Sequence, residues 1–246
     1  MATETVKIVR FHKIGGPEVL QLDELPLPQP GVGEVRLRVK AIGLNRAEAL
    51  FRQDRHRFPP KLPSKLGYEA SGIAAIEMAK AQGAISIATT RTARKKTALL
   101  GVGADEVIVT DEENLPKRVS EITGGMGARV VFDPIGGRGL EALAAAAARS
   151  GIIFQYGLLA TEPTPYPLLT ALSKHLTIKA YSLFEVVANP DEFPEQFRKA
   201  KQYVFDSLAK GVFKPRIGKI FPLSQIVDAH RYLESNAQVG KIVVTV

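Results

Sequence analysis

Thr89-Thr90-Arg91-Thr92 closes an apolar run that begins at Ile85 and opens onto a basic helix containing Arg94, Lys95 and Lys96. In a doubly wound dinucleotide-binding unit, the carboxyl end of the second strand faces the adenine ribose. An Asp or Glu there grips the 2′-hydroxyl of NAD, whereas hydroxyls and a cation suit the 2′-phosphate of NADP. This chain places no acid after Thr89 until Asp105. Arg91 offers a planar, bidentate fork for phosphate, and Lys80, one helix earlier, adds a second positive charge. The competing reading is an ordinary strand end followed by a solvated basic helix.

Other residues could serve the same chemistry. Ser71-Gly72 heads a helix expected over 73–82, where free backbone N–H groups favour an anion; Ser71 serves equally as a plain N-cap. Val130-Val131-Phe132-Asp133-Pro134-Ile135-Gly136-Gly137 and Phe154-Gln155-Tyr156-Gly157 are strands running into glycine turns. Their ends, with Asp133, Gly136 and Gly157, fall on the carboxyl edge of the sheet, where cofactors bind; alternatively they only shape turns. Metal chemistry finds no support. His12, His56, His175 and His230 lack ligand spacing, and the absence of cysteine excludes thiolate ligands and disulfides. His230, on the helix Ser224–Ser235, reads as a partly buried packing residue. No Ser-His-Asp pattern or nucleophile elbow is present.

The 246 residues are 45% hydrophobic, enough for a sizeable core in one or two domains. No run reaches the roughly 18 apolar residues of a membrane span. The first residues lack the apolar core and cleavage site of a signal peptide. With no cysteine, these features set the expectation of a cytoplasmic protein without a membrane partner. The net charge of +8 could attract nucleic acid or phosphorylated small molecules. The basic clusters Arg91, Arg94, Lys95, Lys96 and Arg52, Arg55, His56, Arg57 are not interleaved with aromatics, so nucleic-acid binding is not expected.

Three kinds of element must position these residues. The first forty read as β, with Val35, Leu37, Val39 and Ile42 alternating against Glu34, Arg36, Arg38 and Lys40, the period of a half-buried strand. Asn45 caps a short helix. From Ile73 helix and strand alternate: helix to Gln82, strand over Ile85–Thr90, helix from Thr92 to Leu100, strand over Glu106–Val109, helix over Leu115–Ile122, strand over Ala128–Asp133, an alanine-rich helix over Leu140–Arg149, and a strand over Gly151–Gly157. That rhythm predicts α/β architecture with a parallel sheet covered by helices. A further strand lies in Leu176–Ser182, a long helix over Pro194–Lys210, and a strand-helix-strand tail to Val246, whose last strand rejoins the N-terminal β region. The expected layout is discontinuous, residues 1–70 and 212–246 forming one domain around 71–211.

Together these stretches resemble the medium-chain dehydrogenase/reductase superfamily, on its zinc-free quinone-oxidoreductase side. The resemblance rests on GGPEVLQL, GEVRLRVKAIGLNRAEALFR, LPSKLGYEASG, AAIEMAKAQGAISIATTRT, GADEVIVT, VVFDPIGG and AHRYLESNAQVGKIVV, in order along nearly the whole chain. It implies a truncated GroES-like catalytic domain around a Rossmann-like cofactor domain, and hydride transfer from NADPH to a quinone or activated carbonyl or enone. It also implies a homodimer. By resemblance, Lys80, Thr90 and Arg91 hold the 2′-phosphate, Ser71 and Gly72 the pyrophosphate, and Asp133, Gly136 and Gly157 lie beside ribose and nicotinamide. Asn45 and Arg46 face the substrate. Asn45 and Tyr68 stand where zinc-dependent relatives carry Cys and His, which implies no catalytic zinc. His56 stands where relatives often carry a substrate-side Tyr.

One junction departs from that pattern. Gly72 ends the GYEASG motif and at once begins the helix that normally follows a buried strand and its glycine turn. A βαβ unit takes about 30 residues or more, and this one lacks its opening strand. Such a loss either exposes two edges or makes the neighbouring strands close the gap. The expectation is therefore an oxidoreductase impaired by an internal deletion. The competing expectation is a catalytically inactive structural or binding remnant.

Overall fold

A computed structural model describes residues 4–32, 36, 38–56, 59–66, 74–182 and 191–246. The chain divides into two compact units, Met1–Gly72 with Pro215–Val246, and Ile73–Lys214.

In the first unit, β1 (Thr5–Phe11) and β2 (Leu20–Pro26) form an antiparallel hairpin in register from Thr5↔Pro26 to Phe11↔Leu20, and the short β4 (Ser64–Lys65) pairs antiparallel with the other edge of β1. The sequence expects this pair from two apolar runs separated by Gly15-Gly16-Pro17. β3 (Ala41–Gly43) pairs with β11 (Lys241–Thr245), which runs parallel to β10 (Ile217–Pro222). The half-buried strand expected over 34–42 is shorter than its alternation suggests. Arg36 and 38–40 are irregular and Val39 is exposed, while 33–35 and Leu37 lie outside the described residues. The reason is the partner: β11 pairs back only as far as Ala41, and the Val246 amide makes the last bond, to the Lys40 carbonyl. Alternation alone does not make a strand without a neighbouring ladder.

The core of this unit joins Phe11, Leu20, Leu44, Phe51, Phe221 and Ile242. Phe11 meets Phe51 edge to face, centroids 5.9 Å apart. α1 (Arg46–Arg52) and the C-terminal helix, Ile226–Glu234, pack against it. The latter buries Ile226, Ala229, His230 and Leu233, the i, i+3, i+4, i+7 stripe of an amphipathic helix. Arg52 is fully buried; it donates to the Gly15 carbonyl and pairs with Glu234, tying the hairpin turn to that helix. Burial pulls the guanidinium pKa down and Glu234 opposes the shift.

The second unit holds α2 (Ala74–Ala81), β5 (Ile87–Thr90), α3 (Lys96–Val102), β6 (Glu106–Val109), α4 (Leu115–Ile122), β7 (Ala128–Asp133), α5 (Gly139–Ala146), β8 (Ala147–Gln155), α6 (Leu168–Lys174), β9 (Thr177–Ala180) and α7 (Pro194–Ala209). Numbering onward, the C-terminal helix Ile226–Glu234 is α8. All ladders in this unit are parallel. The alternating elements expected from Ile73 onward are present, but not as one sheet. β5 and β6 form a two-stranded sheet, and β7, β8 and β9 a separate three-stranded one. Among the described residues, no strand pairs with the second edge of β5 or of β7, and Ser71–Ile73 at the junction lie outside them.

A second difference concerns the alanine run. The helix expected to Arg149 stops at Ala146, and Ala147 pairs with Ala128 as the first residue of β8. Gly127, at φ +78°, lies so close to the backbone of Ala146–Ala148 that an added Cβ would meet the Ala148 nitrogen at 2.8 Å. Lys174 Nζ also donates to the carbonyls of Ala145 and Ala147. Tertiary contacts thus override the high helix propensity of alanine.

His230 is fully buried rather than partly so, and neither ring nitrogen has a hydrogen-bond partner among the described residues. Its ring faces Glu48, 3.9 Å away, and the charge of Arg52. Burial first, and Arg52 second, lower its pKa from 6.5 to about 4. The unfolded chain therefore binds a proton below pH 6.5 that the folded chain refuses until about pH 4, so this residue costs stability as pH falls through that window. Urea denaturation should give about 1.4 kcal/mol less stability at pH 5.5 than at pH 8, and the His230→Leu variant should lack that slope.

Candidate functional site

The carboxyl end of β5 is set by the β5–β6 ladder. Thr110 N donates to the Thr90 carbonyl at 2.8 Å, and Asp111 N to the Arg91 carbonyl at 3.1 Å. The Thr90 hydroxyl donates to the Thr92 carbonyl at 3.1 Å, which turns the chain into a 3-10 segment, Ala93–Lys95. Arg91 is exposed, and its side chain has no hydrogen bond or ion pair among the described residues. Lys95, half-buried one turn on, has its pKa lowered by burial and by the charge of Arg91. Of the acids that follow β6, Glu113 accepts from Val109 N and Arg118 and lies 4.0 Å from Lys96, and Arg118 also binds Glu121. Two adjacent cations stand at this strand end, neither with a carboxylate partner among the described residues.

Lys80 does not join them. It lies in the last turn of α2, its Nζ 3.5 Å from the Gly103 carbonyl, and its charge helps lower the pKa of Asp105. The larger causes at Asp105 are hydrogen bonds from the Ser86 amide and hydroxyl, at 2.8 and 2.9 Å. Ser86 and Asp105 precede β5 and β6, so Lys80 sits at their amino ends, roughly 13 Å of strand away from Arg91. A helix following a parallel strand runs back along the sheet, and its last turn faces the wrong edge. Sequence reasoning singled out Lys80 and passed over Lys95. The signal for Lys95 was its place four residues after Arg91, across the turn that opens the basic helix. Ser71 and Gly72 lie outside the described residues, as does Tyr68.

The loops after β7 and β8 lock together at the carboxyl edge of the second sheet. The buried Asp133 carboxylate accepts from Ile135 N at 2.8 Å and Gly136 N at 3.2 Å, so it organises the turn. Gly136 and Gly137 adopt φ of +71° and +67°. Gln155 Nε2 donates to the carbonyls of Asp133 and Gly157, and Gly137 N donates to the Thr164 hydroxyl at 2.8 Å. Ala160 N reaches the Ile135 carbonyl at 2.9 Å. Gln155 and Thr164, which sequence reasoning did not single out, hold the two loops in register. Tyr156 follows, its pKa raised by burial and by Asp133.

In the first unit, Asn45 is the buried N-cap of α1, and its Oδ1 accepts from Lys241 Nζ at 2.8 Å. Its backbone N–H donates to the Glu48 carboxylate in a capping box. Arg46 donates to the Leu233 carbonyl at 3.2 Å. His56 packs edge-on against Phe51, centroids 5.9 Å apart. Among the described residues, no group of three or more His, Asp or Glu could hold a metal ion, and no helix is long and apolar enough to cross a membrane.

Residues 70–202 match the sequence profile of the zinc-binding dehydrogenase family, more than half of the chain. The chain belongs to that family, and within the medium-chain dehydrogenase/reductase superfamily it is quinone oxidoreductase-like. It is 27% identical to quinone oxidoreductase 1 of Escherichia coli K12 over 322 aligned positions, covering 94% of this chain and 97% of that protein. The 2-haloacrylate reductase of a Burkholderia species is 28% identical over 170 residues, 68% of this chain and 50% of that protein. Among solved structures, E. coli quinone oxidoreductase complexed with NADPH gives a TM-score of 0.84 at 25% identity, covering 98% of this chain and all of that one.

Gly157 tests the locked loops. An added Cβ would meet the Pro134 carbonyl oxygen at 2.3 Å. The three nearest atoms are all backbone of Pro134, which has no flexible end to yield, so Gly157→Ala should lower stability by about 2–3 kcal/mol in urea denaturation.

Proposed function

We propose that the protein is an NADPH-dependent, zinc-independent oxidoreductase that delivers hydride to a quinone or to an activated carbonyl or enone. The observation that carries this reading is the cation pair Arg91 and Lys95 at the carboxyl end of β5, free of carboxylate partners among the described residues. Like charges crowd each other unless an anion joins them, and a phosphate dianion fits a guanidinium fork beside an ammonium. An NAD-type site would place an acid where Arg91 stands. The nucleotide named in the related E. coli structure is NADPH.

Bound NADPH would supply the hydride. Of this chain's residues, Arg91 and Lys95 would hold the 2′-phosphate, and the head of α2 with Ser71 and Gly72 the pyrophosphate. The turns at Gly136 and Gly157 would bring backbone beside the ribose and nicotinamide, with Asp133 holding the first turn in shape. Asn45 and Arg46 are proposed on the substrate side. Each already makes a structural bond, to Lys241 and to Leu233, so a variant at either needs a stability measurement beside its activity. No side chain is assigned as general acid, since an enolate or hydroquinone anion held by hydrogen bonds can take its proton from water. The names of the relatives, quinone oxidoreductase and 2-haloacrylate reductase, support an electron-poor acceptor.

The second reading is a non-catalytic binding remnant. The split between β5–β6 and β7–β8–β9 favours it, because the turn that seats a pyrophosphate normally follows a strand between them.

Thermal-shift titration separates these readings. NADPH should stabilise the protein at concentrations where NADH does not, with the shift growing with ligand over dissociation constant. Arg91→Ala and Lys95→Ala should each weaken NADPH about tenfold and leave NADH unchanged, whereas Lys80→Ala should change neither. Turnover of a small quinone with NADPH supports the enzyme, and selective NADPH binding without turnover supports the remnant. Equal shifts with both nucleotides would overturn the assignment of the cation pair.

A further inference from the structure

The ladder between β3 and β11 reaches beyond the last residue of β3. Its antiparallel register pairs Thr245 with Ala41 and Val243 with Gly43, and Leu44 N then donates to the Ile242 carbonyl at 3.0 Å. The next step sets Lys241, the first residue of β11, opposite Asn45, the N-cap of α1. Opposed residues of an antiparallel pair carry their side chains on one face. The half-buried Lys241 accordingly donates from Nζ to Asn45 Oδ1 at 2.8 Å. The start of β11 is itself pinned. Gly240, at φ +95°, comes so close to Arg216 that an added Cβ would meet the Arg216 carbonyl oxygen at 2.6 Å. Lys241 N donates to that same oxygen at 2.7 Å. The Asn45 backbone N–H, for its part, donates to the Glu48 carboxylate at 3.3 Å. Both the backbone and the amide oxygen of Asn45 are therefore held in place.

An ammonium donates and cannot accept, so the Asn45 atom that faces Lys241 must be the oxygen. The chemistry of the pair thus fixes which way the amide lies: its oxygen toward Lys241, its N–H groups away. We infer that Lys241 is a positioning residue, which turns the Asn45 amide so that its N–H meets the hydride acceptor and holds the acceptor's oxygen as that oxygen becomes an anion. The inference rests on the proposed place of Asn45 on the substrate side. Hydride arriving at the β-carbon of an enone moves an electron pair onto the carbonyl oxygen, giving an enolate. A quinone that takes up hydride becomes a hydroquinone anion, and water supplies the proton in each case. A donor aimed beforehand at such an oxygen stabilises the charge most where little solvent reaches it. Asn45, 5% exposed, meets that condition. The Lys241 bond also polarises the amide, since hydrogen bonds in a chain strengthen one another. Sequence reasoning singled out Asn45 and passed over Lys241, 196 positions away, because only the β3–β11 register joins them.

Two readouts separate this role from a purely structural one. In the first, p-nitrophenolate stands in for the anion, and p-nitroanisole, its uncharged methyl ether, is the control. Each is titrated into the isotope-labelled, full-length protein, with and without NADPH. The NMR signal followed is the Asn45 side-chain NH2, assigned by its loss in Asn45→Asp. The phenolate should move that signal saturably to lower field, and the ether should not. Lys241→Met, which keeps the aliphatic stem, should weaken phenolate binding about tenfold, and Lys241→Arg should restore it, with melting curves to show that each variant folds. In the second readout, turnover of a small quinone with NADPH, Lys241→Met should lower kcat about tenfold at unchanged KM. The inference is overturned if the phenolate leaves the Asn45 signal unmoved, or if folded Lys241→Met binds phenolate as the parent does. Should Lys241→Met not fold, the parent decides: a moved signal supports the inference and an unmoved one overturns it. A moved signal in a protein that reduces no quinone supports this inference and counts against the oxidoreductase reading. Quinone turnover with an unmoved signal does the reverse.

Discussion

A strand inside a parallel sheet carries N–H and C=O groups along both edges, and each row needs a partner. The second unit follows from how far that requirement is met. β8 satisfies it on both sides, between β7 and β9. Among the described residues, β5 and β7 satisfy it on one side each. The two halves are held in one unit by side chains instead of a ladder, through the cluster of Ile87, Ile108, Val119, Ala128 and Ala146 and through the packing of α4 on α5. Apolar packing is non-directional, so it can hold two sheets together where no backbone register joins them.

The same constraint decides which candidate residues meet. Residues at the carboxyl ends of paired strands are placed by the ladder behind them, and so Arg91 and Lys95 sit together on the end of β5 while Asp133, Gly136 and Gly157 share a bonded turn system beyond β7 and β8. Lys80 obeys the ladder too, but at the opposite edge, because α2 runs antiparallel to the strands. The first unit is governed by burial of polar groups. Arg52 is tolerated in the interior because the Gly15 carbonyl and Glu234 take its protons. His230 is tolerated because it stays neutral.

Elements with their own pattern were legible in the sequence. Glu106–Val109, Leu115–Ile122 and Ala128–Asp133 are bounded by turn residues and fall where their periodicity places them. The failures share a cause: the decisive contact was remote in sequence. Ala147 leaves its helix because Gly127 and Lys174 engage the backbone there, and nothing within the alanine run records that. The alternation over 34–42 is a true β pattern whose ladder with β11 covers only Ala41–Gly43. In the candidate site, Arg91 was legible from residue type and strand position. Lys95 needed the turn geometry of Ala93–Lys95, and the roles of Gln155 and Thr164 needed the two loops side by side.

The part of the site that would choose between nucleotides is built separately from the part that would align one for reaction. Arg91 and Lys95 depend on the β5–β6 ladder, on the Thr110 and Asp111 amides, and on the turn closed by Thr90, all of which are intact. A pyrophosphate, by contrast, is seated by a turn between a central strand and its helix, and among the described residues no strand joins β5 to β7 at that place. Binding energy at a remote phosphate can select a cofactor without orienting its ring, whereas hydride transfer needs the reacting atoms held in near-attack geometry. Under the proposed reading, selectivity for NADPH and competence for turnover are therefore independent properties of this chain. The first rides on a two-stranded ladder that is complete, and the second on strands that form two separate sheets among the described residues.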